Sequence, residues 1–174
     1  MHVRPDLVPV EIRGNVPTRL GKLRTQQLDA VVLAAAGIKR FDRSEEISEI
    51  LSIGLFPPSP GQGALGIQIR EDNESAREIL AGSGDPVTDA EVRAERAMLA
   101  ELHGGCSVPV GAFGKVDGDV LTLHGQVTSV DGRRQVEARL SGPLGEPEKL
   151  GGQVAGLLLD QGAESILSEI RLTA

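Results

Sequence analysis

Two Asp-Gly pairs, Asp117-Gly118 and Asp131-Gly132, cut residues 108–140 into three short runs of alternating apolar and polar side chains. Asp-Gly is a strong hairpin signal, because glycine enters the positive-φ region that tight turns between twisted strands require. Strands are therefore predicted at 108–115, 120–127 and 134–140. Leu121, Leu123 and Val127 alternate inward on the second, and Val136, Ala138 and Leu140 on the third. Before them, Thr88 and Glu91 read as a capping-box pair, and Ala94, Met98 and Leu102 form one helical stripe that ends at Gly104-Gly105. After them, Pro147 opens a helix bearing Leu150, Val154, Leu157 and Leu158, stopped by Gly162, and a last short helix carries Ile166, Leu167 and Ile170. Residues 85–174 are thus expected to form a small α+β domain, a three-stranded antiparallel sheet with helices on one face.

The earlier part reads as α/β. Residues 8–12 look like a strand leading through Arg13-Gly14-Asn15 into a helix with Leu20 and Leu23 on one face. Residues 28–34 are nearly all apolar, as expected of a strand buried on both faces. Ser44-Glu45-Glu46 should start a short helix through Leu51, and Gly54, Pro57, Pro58 and Pro60 then break the chain. Leu65, Ile67 and Ile69 alternate like a strand over 64–70, a helix is expected over 74–80, and Ala81-Gly82-Ser83-Gly84-Asp85-Pro86 is the best boundary.

Composition narrows the function classes. Across 174 residues, 40% hydrophobic and 25% charged side chains suit a folded core. A net charge of −7, no Lys/Arg block, and three Phe with no Trp or Tyr argue against a nucleic-acid partner, which needs phosphate neutralisation or stacking platforms. The longest apolar run, residues 30–37, falls short of the roughly 18–20 residues that span a bilayer, so no membrane segment is expected. A single cysteine allows no intrachain disulfide, and with no leader pattern at the N-terminus the cytoplasm is the expected compartment. His2, His103 and His124 have no ligand spacing, so no metal site is expected; Gly61-Gln62-Gly63 lacks the Lys-Ser/Thr of a phosphate loop.

The lone Cys106 follows a glycine pair at a helix end, a position that by itself suits a small buried hydrophobe as well as an accessible thiol. The run from Glu95 to Gly111, ERAMLAELHGGCSVPVG, resembles the cofactor-attachment signature of the porphobilinogen deaminase (hydroxymethylbilane synthase) family. Arg13-Gly14-Asn15-Val16-Pro17-Thr18-Arg19-Leu20, Leu33-Ala34-Ala35-Ala36-Gly37-Ile38-Lys39-Arg40 and Pro60-Gly61-Gln62-Gly63-Ala64-Leu65-Gly66-Ile67 resemble the same family in the same order.

The resemblance implies that Cys106 carries a dipyrromethane cofactor through a thioether, as the primer onto which four porphobilinogen molecules are condensed with release of ammonia. Hydrolysis then frees hydroxymethylbilane. It implies further that Arg13, Arg19 and Arg40 hold the carboxylates of cofactor and substrate, and that Gln62 lies in the cleft. Arginine suits a polyanionic chain of pyrroles, since its planar fork stays protonated and binds carboxylate in a bidentate manner.

In fold, the resemblance implies the latter part of a periplasmic-binding-protein-like second domain over residues 1–60. A return segment of an absent first domain and linker follows at 61–84, and a cofactor-attachment domain at 85–174. The family's catalytic aspartate and a paired-arginine motif have no match here, so no catalytic residue is expected in this chain, which alone should be inactive. Its partners would be porphobilinogen and the growing polypyrrole, and the complete protein would be a monomer. Leu65, Ile67 and Ile69 should lack sheet partners. Alternatives are a non-catalytic small-anion-binding module and a remnant in which Cys106 is buried and inert.

Overall fold

The computed structural model describes residues 2–103 and 109–171, so Cys106 and its neighbours 104–108 lie outside the described residues. The described chain divides into two compact units, one of residues 6–52 and the other of residues 53–174 with the first five.

In the smaller unit, Gly14 turns at φ +125°, and the Asn15 side chain caps helix α1 (Val16–Thr25) by accepting from the Thr18 N–H at 2.9 Å. Helix α2 (Ala35–Arg40) follows, ending in Lys39 and Arg40, cations that suit a helix C-terminus. Leu20 and Ile38 are the buried residues of these helices. The α2 helix replaces part of what the sequence suggested only as a motif, and three expectations for the first third and the linker fail. Residues 8–12, 28–34 and 64–70 form no strands. Alternation marks a face to be buried, but a strand exists only when a neighbour supplies ladder hydrogen bonds, and the described residues supply none there. Val8 stays 83% exposed, Val32 76% and Leu65 98%. The helix expected through Leu51 is one 3-10 turn, Ser44–Glu46, since no buried face follows to extend it.

In the larger unit, α3 (Glu74–Leu80) is capped by Asn73, whose side chain accepts from the Ala76 N–H. Helix α4 (Pro86–Glu101) starts three residues earlier than the Thr88 cap predicts. Asp85 is the cap, accepting from the Val87 N–H and the Thr88 hydroxyl, and Pro86 occupies the first helical position, where a missing N–H costs nothing. Those bonds hold the Asp85 carboxyl below the usual carboxylate range, the Thr88 hydroxyl foremost. The helix closes at Leu102, and His103 takes a positive φ of 48°, one residue before the expected glycine pair.

Strands β1 (Val110–Asp117), β2 (Val120–Thr128) and β3 (Gln135–Pro143) form the predicted antiparallel meander in the order β1-β2-β3. Gly118 turns the first hairpin at φ +57°. In the second, Asp131 accepts from the Ser129 hydroxyl at 2.6 Å and the Arg133 N–H at 3.0 Å, contacts that also lower its pKa. Helices α5 (Pro147–Asp160) and α6 (Ala163–Arg171) complete the unit, α4 and α5 packing together over the sheet. Met98, Leu102, Leu121, Leu123, Val154 and Leu158 are fully buried between the layers. Leu157, expected in this core, is 41% exposed. The buried stripe of α5 runs through Leu150, Gly151, Val154, Ala155 and Leu158, which leaves Leu157 at its rim. Gly151 is where α4 and α5 come closest, because a Cβ there would collide with the Ala94 carbonyl oxygen and the Ala97 side chain.

Candidate functional site

The three sequence-predicted arginines all belong to the smaller unit. Arg13 lies just before the α1 cap, exposed, with its guanidinium on Glu11 at 2.7 Å. A pair this open to water contributes little and exchanges readily for another carboxylate. The Arg13 carbonyl accepts from Lys22 Nζ at 2.9 Å, tying the approach to the helix. Arg19 sits one turn into α1, half-buried, and its Nε is buried with no hydrogen-bond partner among the described residues. Arg40 ends α2 and is exposed. Lys39 beside it is exposed as well.

Gln62 belongs to the larger unit, on an exposed loop between Gly61 (φ +74°) and Gly63 (φ +92°). The preceding residues are anchored along the outer edge of β1. The Ala112 N–H donates to the Pro58 carbonyl at 2.8 Å, and a Cβ on Gly111 would come within 2.7 Å of Pro57. Helix α4 supplies the remaining acceptors of that edge. Glu95 Oε1 accepts from the Gly114 N–H at 2.8 Å and Glu91 Oε1 from the Val116 N–H at 2.9 Å. Two carboxylates one helical turn apart thus satisfy an edge that would otherwise invite pairing with another chain.

Glu95 does more than cover the edge, since its second oxygen accepts from the Gly61 N–H at 2.6 Å. It is the buried acid of this helix, and burial pushes its carboxyl above the usual range while the Gly114 and Gly61 N–H groups pull it back. Sequence reasoning missed Glu95 as a site residue. The available signal was its place beside Ala94 and three residues before Met98, within the apolar stripe, where an ionisable side chain requires a partner.

Cys106 lies between two well-defined elements, α4 and β1, but outside the described residues. No group of three or more His, Cys, Asp or Glu side chains suited to a metal ion occurs among the described residues, and no described helix is long and apolar enough to cross a membrane. On the sheet face away from the helices, Phe113, Lys115, His124, Glu137 and Arg139 line a hollow of about 440 Å³, with His124 Nε2 3.6 Å from Glu137.

The larger unit is therefore an α+β domain, a three-stranded antiparallel sheet covered by helices, with an anchored glycine-rich loop at its edge. Residues 1–78 match the family model described as porphobilinogen deaminase, dipyromethane cofactor binding domain, and residues 90–160 match the model of the porphobilinogen deaminase C-terminal domain. The chain is 51% identical over 170 residues to the porphobilinogen deaminase of Geobacter metallireducens and 48% identical over 170 residues to that of Geotalea uraniireducens. Each alignment takes in 98% of this chain and 54% of the relative. The Carboxydothermus hydrogenoformans porphobilinogen deaminase is 43% identical over 172 residues, 99% of this chain and 55% of the relative. The chain belongs to the porphobilinogen deaminase family, and it spans about half the length of the curated relatives it matches. The first match names the family's cofactor, the dipyrromethane, and contains Arg13, Arg19, Arg40 and Gln62, whereas Cys106 falls in the second.

Proposed function

We propose that this chain is the cofactor-bearing and carboxylate-holding part of a hydroxymethylbilane synthase, with Cys106 as the thioether attachment point. When bound, the dipyrromethane supplies the covalent primer for porphobilinogen addition. Arg13, Arg19 and Arg40 hold acetate and propionate groups, and Gln62 contacts the pyrrole chain in the cleft. The observation that carries this reading is the buried Arg19 Nε, which has no acceptor among the described residues. A buried cationic donor left unpaired is costly, and an anionic ligand is the group that removes the cost. The exposed Arg13–Glu11 pair adds a second guanidinium within the same unit, easily transferred to a ligand carboxylate.

No residue of this chain matches the family's catalytic aspartate, so the polypeptide by itself is proposed to bind without turning over. Catalysis of ring coupling depends on fixed charge where charge develops, and that charge is missing here. The leading residues 1–60 fit the latter part of a periplasmic-binding-protein-like domain, 61–84 a return segment, and 85–174 the attachment domain. The exposed Val8, Val32, Leu65 and Ile67 then mark faces that the remaining half of the family fold covers in a monomeric, cytoplasmic enzyme.

Intact-mass measurement of the chain completed with the half of the Geobacter metallireducens relative that it does not span, produced alongside porphobilinogen-synthesising enzymes, tests the reading, since the primer is itself a product of ring coupling. A dipyrromethane increment that maps to Cys106 and disappears in Cys106→Ser supports it. An unmodified thiol, together with reversible porphobilinogen binding, favours a non-catalytic anion-binding module instead.

A further inference from the structure

We propose that Glu95 is a positioning residue, which sets where Gln62 stands by holding the loop of residues 60–63 against the strand that leaves the cofactor-attachment segment. The inference rests on the reading of Gln62 as a substrate contact and adds a residue to it. One carboxylate spans three pieces of chain. It grows from α4, which runs toward Cys106; its Oε1 takes the Gly114 N–H of β1, which departs from that segment; its Oε2 takes the Gly61 N–H next to Gln62.

The loop's own bonds are internal to the turn, the Gln62 N–H donating to the Ser59 carbonyl at 3.0 Å and the Ala64 N–H to the Gly61 carbonyl at 3.4 Å, and neither ties it to the domain. Gln62 is exposed, a Cβ on Gly63 would meet nothing within 4 Å, and both flanking glycines adopt positive φ, a region that fixes no single conformation by sterics. The other anchors, Pro58 on Ala112 and Pro57 on Gly111, stop two residues short of Gly61. A short, charge-assisted bond to a buried acid is therefore the contact that fixes this turn, and Gln62 with it, against α4 and β1. Glu91 provides an internal comparison, since it accepts from the neighbouring β1 N–H of Val116 at 2.9 Å, a contact that does not involve the loop.

The test compares Glu95→Gln, Glu95→Asp and Glu91→Gln in the full chain by amide hydrogen exchange and by the Gln62 side-chain NMR signals, with porphobilinogen as the titrated probe. Glu95→Gln should lower Gly61 protection about tenfold to a hundredfold, the loss expected for a bond to a charged group. It should also scatter the Gln62 signals and weaken their response to porphobilinogen. Glu91→Gln should leave Gly61 and Gln62 unchanged while lowering thermal stability to a similar extent, which separates positioning from general weakening. Unchanged Gly61 protection in folded Glu95→Gln overturns the clamp. Lost protection with an intact Gln62 response overturns positioning. If Gln62 in the unaltered chain does not respond to porphobilinogen, the substrate role of Gln62 fails, and Glu95 is left holding a loop of no functional consequence.

Discussion

The Gly61 amide donates to the carboxylate of Glu95 at 2.6 Å across 34 residues of sequence, joining a loop of the linker region to the helix that leads to Cys106. The same carboxylate takes the Gly114 N–H of β1, so one buried acid bridges three segments.

Burial raises the Glu95 pKa above the ordinary glutamate value of 4.5, so the folded state holds this proton more tightly than the unfolded state does. The contribution of Glu95 to stability is then fully present below the unfolded pKa and is lost as pH rises through the folded value. The stability of the unaltered chain relative to Glu95→Gln should fall as pH rises from below 4.5 through the folded pKa, followed by denaturant unfolding at each pH. A Glu95 carboxyl signal titrating below 4.5 contradicts the direction.

Gly151 lies against the Ala94 carbonyl and the Ala97 side chain, whereas a Cβ on Gly152 meets nothing within 4 Å. Gly151→Ala should destabilise the chain by about 1–3 kcal/mol through overpacking. Gly152→Ala, in the same helix, should be neutral or stabilise by up to about 1 kcal/mol. Equal effects of the two substitutions in chemical denaturation would show that α4 and α5 do not cross as closely as described.

The Arg19 Nε, buried and without a partner among the described residues, separates stability from binding. Arg19→Met keeps the apolar stem and removes the buried Nε donor, so the melting temperature should hold or rise. Porphobilinogen binding should meanwhile weaken by about 1.5–3 kcal/mol, the worth of a charge-assisted bond. Calorimetric titration showing undiminished affinity would remove Arg19 from the site.

Leu65 is 98% exposed and Ile67 67% exposed, without ladder partners among the described residues. Leu65→Lys should change stability by less than about 0.5 kcal/mol, since it unburies nothing. It should also reduce self-association, which sedimentation velocity reads directly.

Much of the larger unit was legible in the amino-acid order. The Asp117-Gly118 and Asp131-Gly132 turns, the inward alternation on β2 and the α5 stripe from Leu150 to Leu158 all carry their cause within a few residues. Local rules failed where a partner was required. Residues 8–12, 28–34 and 64–70 have strand composition and no ladder, because pairing is decided by a second segment that periodicity does not reveal. For the site, motif resemblance brought out Arg13, Arg19, Arg40, Gln62 and Cys106, yet it gave no role to Glu95, the first residue of the Cys106 signature.

What the chain's sequence determined by itself is the local chemistry: where it turns, which faces are apolar, which helices begin after Asn15 and Asn73, and to which family it is similar. Only the tertiary structure decided that Glu95 closes the β1 edge and grips Gly61, that the Arg19 Nε is buried, and that Leu157 lies outside the core. Each depends on burial, which is set by atoms far away in sequence. The free energy of a charge or a leucine is governed by what replaces water around it, and local sequence does not specify that replacement.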